Sequence, residues 1–172
     1  RRELVGSAQR GIDLYAAEAL LVQAHAAFPA SWAITLAWAN SNLALAEFDK
    51  ALAGFDHVLA AAPTHRDAML GRVTALSYAM KHDEAIATAT RMIELGTWHM
   101  GDAYYWRAWN RYNLKAIDPA WADVEESVKL LSNTGVYTLA GLIAYSRQQL
   151  PTAIERFDRA FTIDGSNCDA AW

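Results

Sequence analysis

The sequence predicts an all-α fold, an α-solenoid of antiparallel helical hairpins, and three observations carry that expectation. Alanines at 17, 51, 85, 120 and 153 recur at spacings of 34, 34, 35 and 33 residues. Each is followed four residues on by an apolar one: Ala17 with Leu21, Ala51 with Phe55, Ala153 with Phe157, and more loosely Ala85 with Ala89 and Ala120 with Val124. Pro29 and Pro63, themselves 34 apart, each close an apolar helical run, and no alternating stretch long enough for a strand intervenes. A fixed period of this length marks stacked two-helix units, none of which buries its apolar face alone.

Five hairpins follow in order: Arg1–Pro29, Ser31–Pro63, Arg66–Gly96, Gly101–Asn133 and Thr134–Gly165, together one solenoid domain over residues 1–172. The first lacks the start of its first helix. Cys168-Asp169-Ala170-Ala171-Trp172 reads as the opening of a sixth. Small residues at Ala39, Ala108 and Gly141 let paired helices approach closely, and large residues one turn away fill the space between hairpins. Second helices are expected to start at Asp49, Asp83 and Asp118, each placed to cap free backbone N–H groups. Pro119 then takes the first helical position, with Pro151 equivalent in the fifth hairpin. Gly96 and Gly165 are expected to end second helices in the left-handed conformation. No polar cap helix follows the fifth hairpin, so Ile154, Phe157, Phe161 and Trp172 form an apolar end that packs on something or continues into more chain.

Composition narrows the classes of function. Apolar residues make up 53% of the 172 and charged residues 20%, enough for a packed core and unlike a disordered chain. The net charge of −4 and the lack of a Lys/Arg cluster argue against a nucleic-acid binder, the basic spot at Arg1, Arg2 and Arg10 being too small. No apolar run reaches membrane-spanning length, and nothing at Arg1–Arg10 resembles a signal peptide. Cys168, the lone cysteine, builds no disulfide or cysteine-based zinc site within the chain.

Two copies of the period carry a family resemblance. One is Ala140-Gly141-Leu142-Ile143-Ala144-Tyr145, then Leu150, Ala153-Ile154, Phe157 and Ala160-Phe161; the other is Trp38-Ala39, Phe48, Ala51-Leu52, Phe55, Val58 and Pro63. This pattern resembles the tetratricopeptide repeat over essentially the whole chain. The resemblance implies a right-handed solenoid whose first helices line a concave groove, and a scaffold or adaptor holding another protein or peptide. The side chains it places in the groove are Ala33, Leu36, Asn40, Leu43 and Ala44 in the second hairpin and Asp67, Leu70, Thr74, Ser77 and Tyr78 in the third. The fourth offers Asp102, Tyr105, Trp109, Tyr112 and Asn113, and the fifth Gly135, Thr138, Leu142, Tyr145 and Ser146.

Within that set Tyr105, Trp109 and Tyr112 share one helix face, and with Tyr78 and Tyr145 they are expected to form an aromatic floor across three repeats. Tyr and Trp anchor interfaces with rigid area and a polar tip, and they accept a Lys or Arg of a partner over their rings. Asp67, Asp102, Asn113 and Ser146 stand ready for a peptide backbone or a basic side chain. Tyr104 and Trp106 lie on other faces of the same helix, so part of the aromatic set is core. Arg72 and Arg107 hold a position usually apolar in the repeat; they read either as a pair of anion hooks or, the favoured expectation, as stems that pack while their heads reach water or pair with a neighbouring Asp. Some members of the family clamp a C-terminal carboxylate with two Lys, one Arg and two Asn. Only Asn40 matches here, and Leu36 stands where a Lys is needed.

Catalytic signals are absent from the sequence. His25, His57, His65, His82 and His99 are scattered, with no pair four apart on a helix. His82-Asp83-Glu84 is read as straddling an interhelical turn, not as a metal cluster. Gly6-Ser7 and Gly11 are too sparse for a phosphate loop, and Glu125-Glu126 is read as a solvated helix face. The expectation is no enzyme activity, cofactor or metal, with self-association through the terminal hairpins as the second mode of action.

Overall fold

Helix termini in this chain are set by very short turns. The computed structural model describes residues 16–28, 30–96 and 99–168, with side chains of the last helix described to Asp164. Pro29, the Arg1, Arg2 and Arg10 spot, the Gly6–Gly11 stretch, and Trp172 with the expected sixth-hairpin start beyond Cys168 lie outside the described residues. The chain divides into two units, Arg1–Ala79 and Met80–Trp172. The first holds α1 (16–27), α2 (Trp32–Ala44), α3 (Phe48–Ala61) and α4 (Arg66–Tyr78). The second holds α5 (His82–Glu94), α6 (Met100–Asn113), α7 (Ile117–Leu130), α8 (Thr134–Ser146) and α9 (Leu150–Cys168). All regular structure among the described residues is helical. The expected third hairpin is thus divided, α4 belonging to the first unit and α5 to the second.

In the first unit α2 packs on α3, and α4 packs on both. The small residues do the work expected of them. A Cβ added to Gly54 would lie 2.7 Å from the Ala39 Cβ, and one on Gly71 would lie 2.3 Å from the Phe55 ring. Neither fits unless a neighbouring group shifts. Ala39, Ala51, Phe55 and Val58 are fully buried there, whereas the first anchor of the period, Ala17, is exposed.

In the second unit α5, α6, α7, α8 and α9 pack each on the next. Ala108, Ala120, Val124, Leu139, Ala140 and Ile143 form one buried cluster. A Cβ on Gly141 would meet the Phe157 ring at 2.6 Å, so α8 and α9 also touch through a missing side chain.

The turns between helices differ from expectation in a regular way. Ala46, Met80, Lys115 and Gln148 adopt positive φ of 60°, 60°, 64° and 61°, and none is glycine. Three of these turns show the same pair of bonds. At Lys115 the N–H donates to the Tyr112 carbonyl at 3.0 Å and the next N–H, of Ala116, to the Arg111 carbonyl at 2.9 Å. Ala46 with Glu47 and Gln148 with Gln149 repeat it, which is the Schellman ending of a helix. The residue after the left-handed one is already the N-cap of the next helix: Glu47, Lys81 and Ala116. Asp49, Asp83 and Asp118 are therefore not caps. They sit in the first turn, where their charge faces the positive end of the helix dipole. His82-Asp83-Glu84 accordingly opens α5 and does not straddle a turn.

Other boundaries follow the same logic. Pro119 is the third residue of α7 and Pro151 the second of α9, positions whose N–H groups have no intrahelical acceptor. Gly96 ends α5 at φ 60° as expected. Gly165 does not end α9, which runs on to Cys168. Glycine permits a left-handed exit without compelling one, and its cost inside a helix is only about 1 kcal/mol. His65 caps α4, accepting from the Ala68 N–H at 3.4 Å, and Asn133 caps α8, accepting from the Val136 N–H at 3.0 Å.

Candidate functional site

Helix α6 presents Tyr105, Trp109 and Tyr112 from one face, and all three are half-buried, leaning on the cluster of Ala108, Leu139, Ala140 and Ile143. Each ring is thus part of the packing and part of the surface. Trp106, on another face, is buried and meets Tyr105 edge-on with ring centres 5.1 Å apart. From α8, Tyr145 is 63% exposed and Leu142 half-buried. The Ser146 hydroxyl donates to the Leu142 carbonyl at 3.0 Å and lies 3.5 Å from the Tyr112 hydroxyl, tying the two helices together at the end of the row. Beyond it Tyr145, Ser146, Gln148 and Leu150 line a surface concavity of about 580 Å³.

Polar groups flank the row. Asp102, in the first turn of α6, faces the His99 ring nitrogen at 3.4 Å. Asn113 is exposed, and its amide donates to the Trp109 carbonyl at 2.8 Å, leaving the side-chain oxygen as an acceptor. The Lys115 ammonium lies over the Tyr112 ring, 5.8 Å from its centre. Gly135 is exposed beside the Tyr105 hydroxyl, which a Cβ there would approach to 3.6 Å.

The first unit carries the remaining candidates. Asp67 is exposed in the first turn of α4, and Thr74 is half-buried with its hydroxyl donating to the Leu70 carbonyl at 2.8 Å. Tyr78 is exposed and stacks on Phe48, with centres 6.2 Å apart and planes 19° from parallel. In α2 Ala33, Asn40 and Ala44 are exposed and Leu36 and Leu43 half-buried. Ser77 departs from expectation: it is buried, and its hydroxyl bonds back to the Val73 carbonyl at 2.7 Å. A serine hydroxyl satisfied within its own helix turn loses little on burial.

The arginines behave as packing elements. Arg72 meets Asp56 at 2.7 Å. Arg107 grips Asp123 with two nitrogens, at 2.7 and 2.9 Å, and Arg111 adds a third contact at 2.7 Å. Asp123 is 3% exposed, so this carboxylate is buried with both its oxygens satisfied. Glu125 is likewise engaged, by Arg156 at 3.2 Å, rather than solvated as expected, and Glu126 pairs with Lys129 at 2.6 Å.

Sequence reasoning missed two buried amides. Asn42 and Asn110 are both fully buried, and each donates to the carbonyl four residues back, that of Trp38 at 2.8 Å and of Trp106 at 2.7 Å. The Asn110 oxygen also meets the His82 ring nitrogen at 2.8 Å. The signal was present as Trp-x-x-x-Asn at 38–42 and again at 106–110, two periods apart. Among the described residues no group of three or more His, Cys, Asp or Glu is placed to hold a metal, and no helix is long and apolar enough to cross a membrane.

No family model matches the chain, and no curated protein matches it in sequence. Solved structures match in fold. MamA from Desulfovibrio magneticus RS-1 is 16% identical at a TM-score of 0.76, covering 96% of this chain and 93% of that one. A thermophilic TPR protein of Thermus thermophilus is 16% identical at a TM-score of 0.74, covering 94% and 91%. The APC/C hetero-tetramer Cut9–Hcn1 matches at 22% identity and a TM-score of 0.76, covering 89% of this chain and 29% of that one. The fold is therefore the all-α helical-repeat fold of tetratricopeptide proteins.

Proposed function

We propose that the chain is a protein- or peptide-binding scaffold whose recognition surface is the aromatic face of α6 and α8, and that it is not an enzyme. One observation carries this reading. Tyr105, Trp109 and Tyr112 are anchored in the core yet only half-buried, and the row runs into exposed Tyr145 and a concavity of about 580 Å³. Rigid aromatic rings held from behind lose little entropy when a partner covers them, which is what an interface anchor requires. Asp102, Asn113 and Leu142 complete the face in this unit, and Asp67, Thr74 and Tyr78 offer a similar face on α4 in the other. The partner is another protein or peptide, not nucleic acid, in keeping with the acidic net charge. A protein of the same fold is solved in complex, as the Cut9–Hcn1 hetero-tetramer.

The test is a Trp109→Ala variant, alone and with Tyr145→Ala, read by capture of peptides and by circular dichroism. The reading expects loss of binding with helicity retained. Binding that survives both changes refutes it.

A second reading, assembly through the last hairpin, has its own observation. Leu150, Ile154 and Phe161 of α9 are 53%, 60% and 78% exposed along one stripe. Light scattering discriminates: mass that rises with concentration, and falls to that of a monomer in Phe161→Glu, supports assembly through this stripe, whereas a monomer at every concentration refutes it.

A further inference from the structure

The left-handed turns point to what the recognition face reads. Such a backbone costs an L side chain about 1 to 2 kcal/mol relative to glycine. Four turns between helices carry that cost, at Ala46, Met80, Lys115 and Gln148. Strain kept at a surface position asks what its side chain does. In the second unit the two side chains are linked by a short run of contacts. The Lys115 ammonium lies over the Tyr112 ring, and the Tyr112 hydroxyl stands 3.5 Å from that of Ser146. Ser146 and Gln148 then line the concavity with Tyr145 and Leu150. One turn supplies a cation, the other an amide with two N–H donors, and between them stand the hydroxyls of Tyr112 and Ser146.

The surrounding charges leave that cation available. The carboxylate in the first turn of α7, Asp118, is held by the Arg147 guanidinium, which also lies over the Trp121 ring at 5.5 Å. Asp123 is taken by Arg107 and Arg111. Among the described residues Lys115 has a ring beneath it and no carboxylate beside it. Exposed Leu150 and the Tyr145 ring add an apolar wall. A site with one ammonium, amide and hydroxyl donors, and an apolar wall fits a carboxylate side chain next to an apolar one.

We infer that the turns after α6 and α8 form an acidic-residue subsite: Lys115 and Gln148 hold an Asp or Glu side chain of the bound segment, while Tyr145 and Leu150 hold its apolar neighbour. This inference rests on the peptide-binding reading and names the chemistry of its partner.

Glycine is the discriminating substitution, because it is the residue the backbone prefers at both turns. Lys115→Gly and Gln148→Gly remove the side chains while relieving the strain, so a purely structural role predicts better folding and unchanged binding. The probes are fluorescein-labelled, C-terminally amidated octapeptide pools with a fixed central Leu-Glu-Glu, Leu-Gln-Gln or Leu-Lys-Lys, followed by fluorescence polarisation at low and high salt. The wild type is expected to bind the Glu pool about three- to tenfold more tightly than the Gln pool, as for a partly exposed ion pair with supporting hydrogen bonds, with the advantage shrinking in salt. Lys115→Gly erases most of that advantage and Gln148→Gly part of it, and each variant melts at or above the wild type. Equal binding of the three pools, lost in Tyr145→Ala, overturns the acidic subsite while the groove reading stands. A Glu preference that persists in Lys115→Gly also overturns the subsite. Binding of no pool by the wild type overturns both.

Discussion

Helices α7 and α9 occupy the same place in successive repeats and have opposite fates. Aligned on Ala120 and Ala153, the apolar positions Ile117, Trp121, Val124 and Val128 of α7 correspond to Leu150, Ile154, Phe157 and Phe161 of α9. In α7 the four pack into the cluster that α8 closes with Leu139, Ala140 and Ile143. In α9 Leu150, Ile154 and Phe161 are exposed and Phe157 is half-buried against Gly141. The pattern written into the two second helices is therefore the same whether or not a described helix packs on it. Burial comes from the neighbour, which is the nearest-neighbour logic of a repeat protein. The polar residues differ in the same sense. Asp123 of α7 is buried between two arginines, while its counterpart Arg156 reaches back to Glu125 on α7.

Substitutions break or sharpen this contrast, and the largest effect belongs to Asp123. Asp123→Ala leaves Arg107 and Arg111 facing each other with no carboxylate, and is expected to cost about 3 kcal/mol or more in urea unfolding. Next is Trp121→Ala, which removes half-buried area and opens a cavity beside α8, for an expected loss of about 2 kcal/mol. The equivalent Ile154→Ala in α9 is expected to stay within about 0.5 kcal/mol, since that side chain already faces water. An equal loss at the two positions, measured in the same unfolding assay, would show that the exposed stripe is covered in solution.

The turns give an effect of the opposite sign. Met80→Gly relieves left-handed strain at the cost of a looser unfolded chain, for a net gain of about 0.5 to 1 kcal/mol in a thermal melt. A loss of stability there would mean that the exposed Met80 side chain is held by contacts that outweigh the strain.

The fold was legible because it rests on absences of bulk. Ala39, Ala108 and Gly141 stand where helices touch, and the anchoring alanines repeat at a fixed interval, a signal that survives without glycine turns or side-chain caps. The turns were illegible for the same reason. Their left-handed residues are Ala46, Met80, Lys115 and Gln148, which no turn rule singles out, and only their spacing of 33 to 35 links them. The Asp positions were misplaced by two residues because the Schellman turn hands the chain straight to the next N-cap. Burial of Asn42, Asn110 and Ser77 escaped notice because each side chain donates to the carbonyl four residues back, a bond that sequence polarity does not reveal. For the candidate face, helix periodicity was enough to put Tyr105, Trp109 and Tyr112 on one side of α6. It gave no hint of Lys115 and Gln148, whose positions depend on turn geometry.

The most direct test of the account is photocrosslinking from two positions on one folded chain, one on the aromatic face and one exposed position outside it. A benzophenone side chain replaces exposed Tyr145 in one sample and exposed Glu155 of α9 in the other, and each is irradiated with source lysate. The account predicts a discrete adduct from position 145 that Trp109→Ala abolishes, and none from position 155. Adducts from position 155 alone, or from position 145 undiminished by Trp109→Ala, would contradict the claim that the α6–α8 face is the working surface.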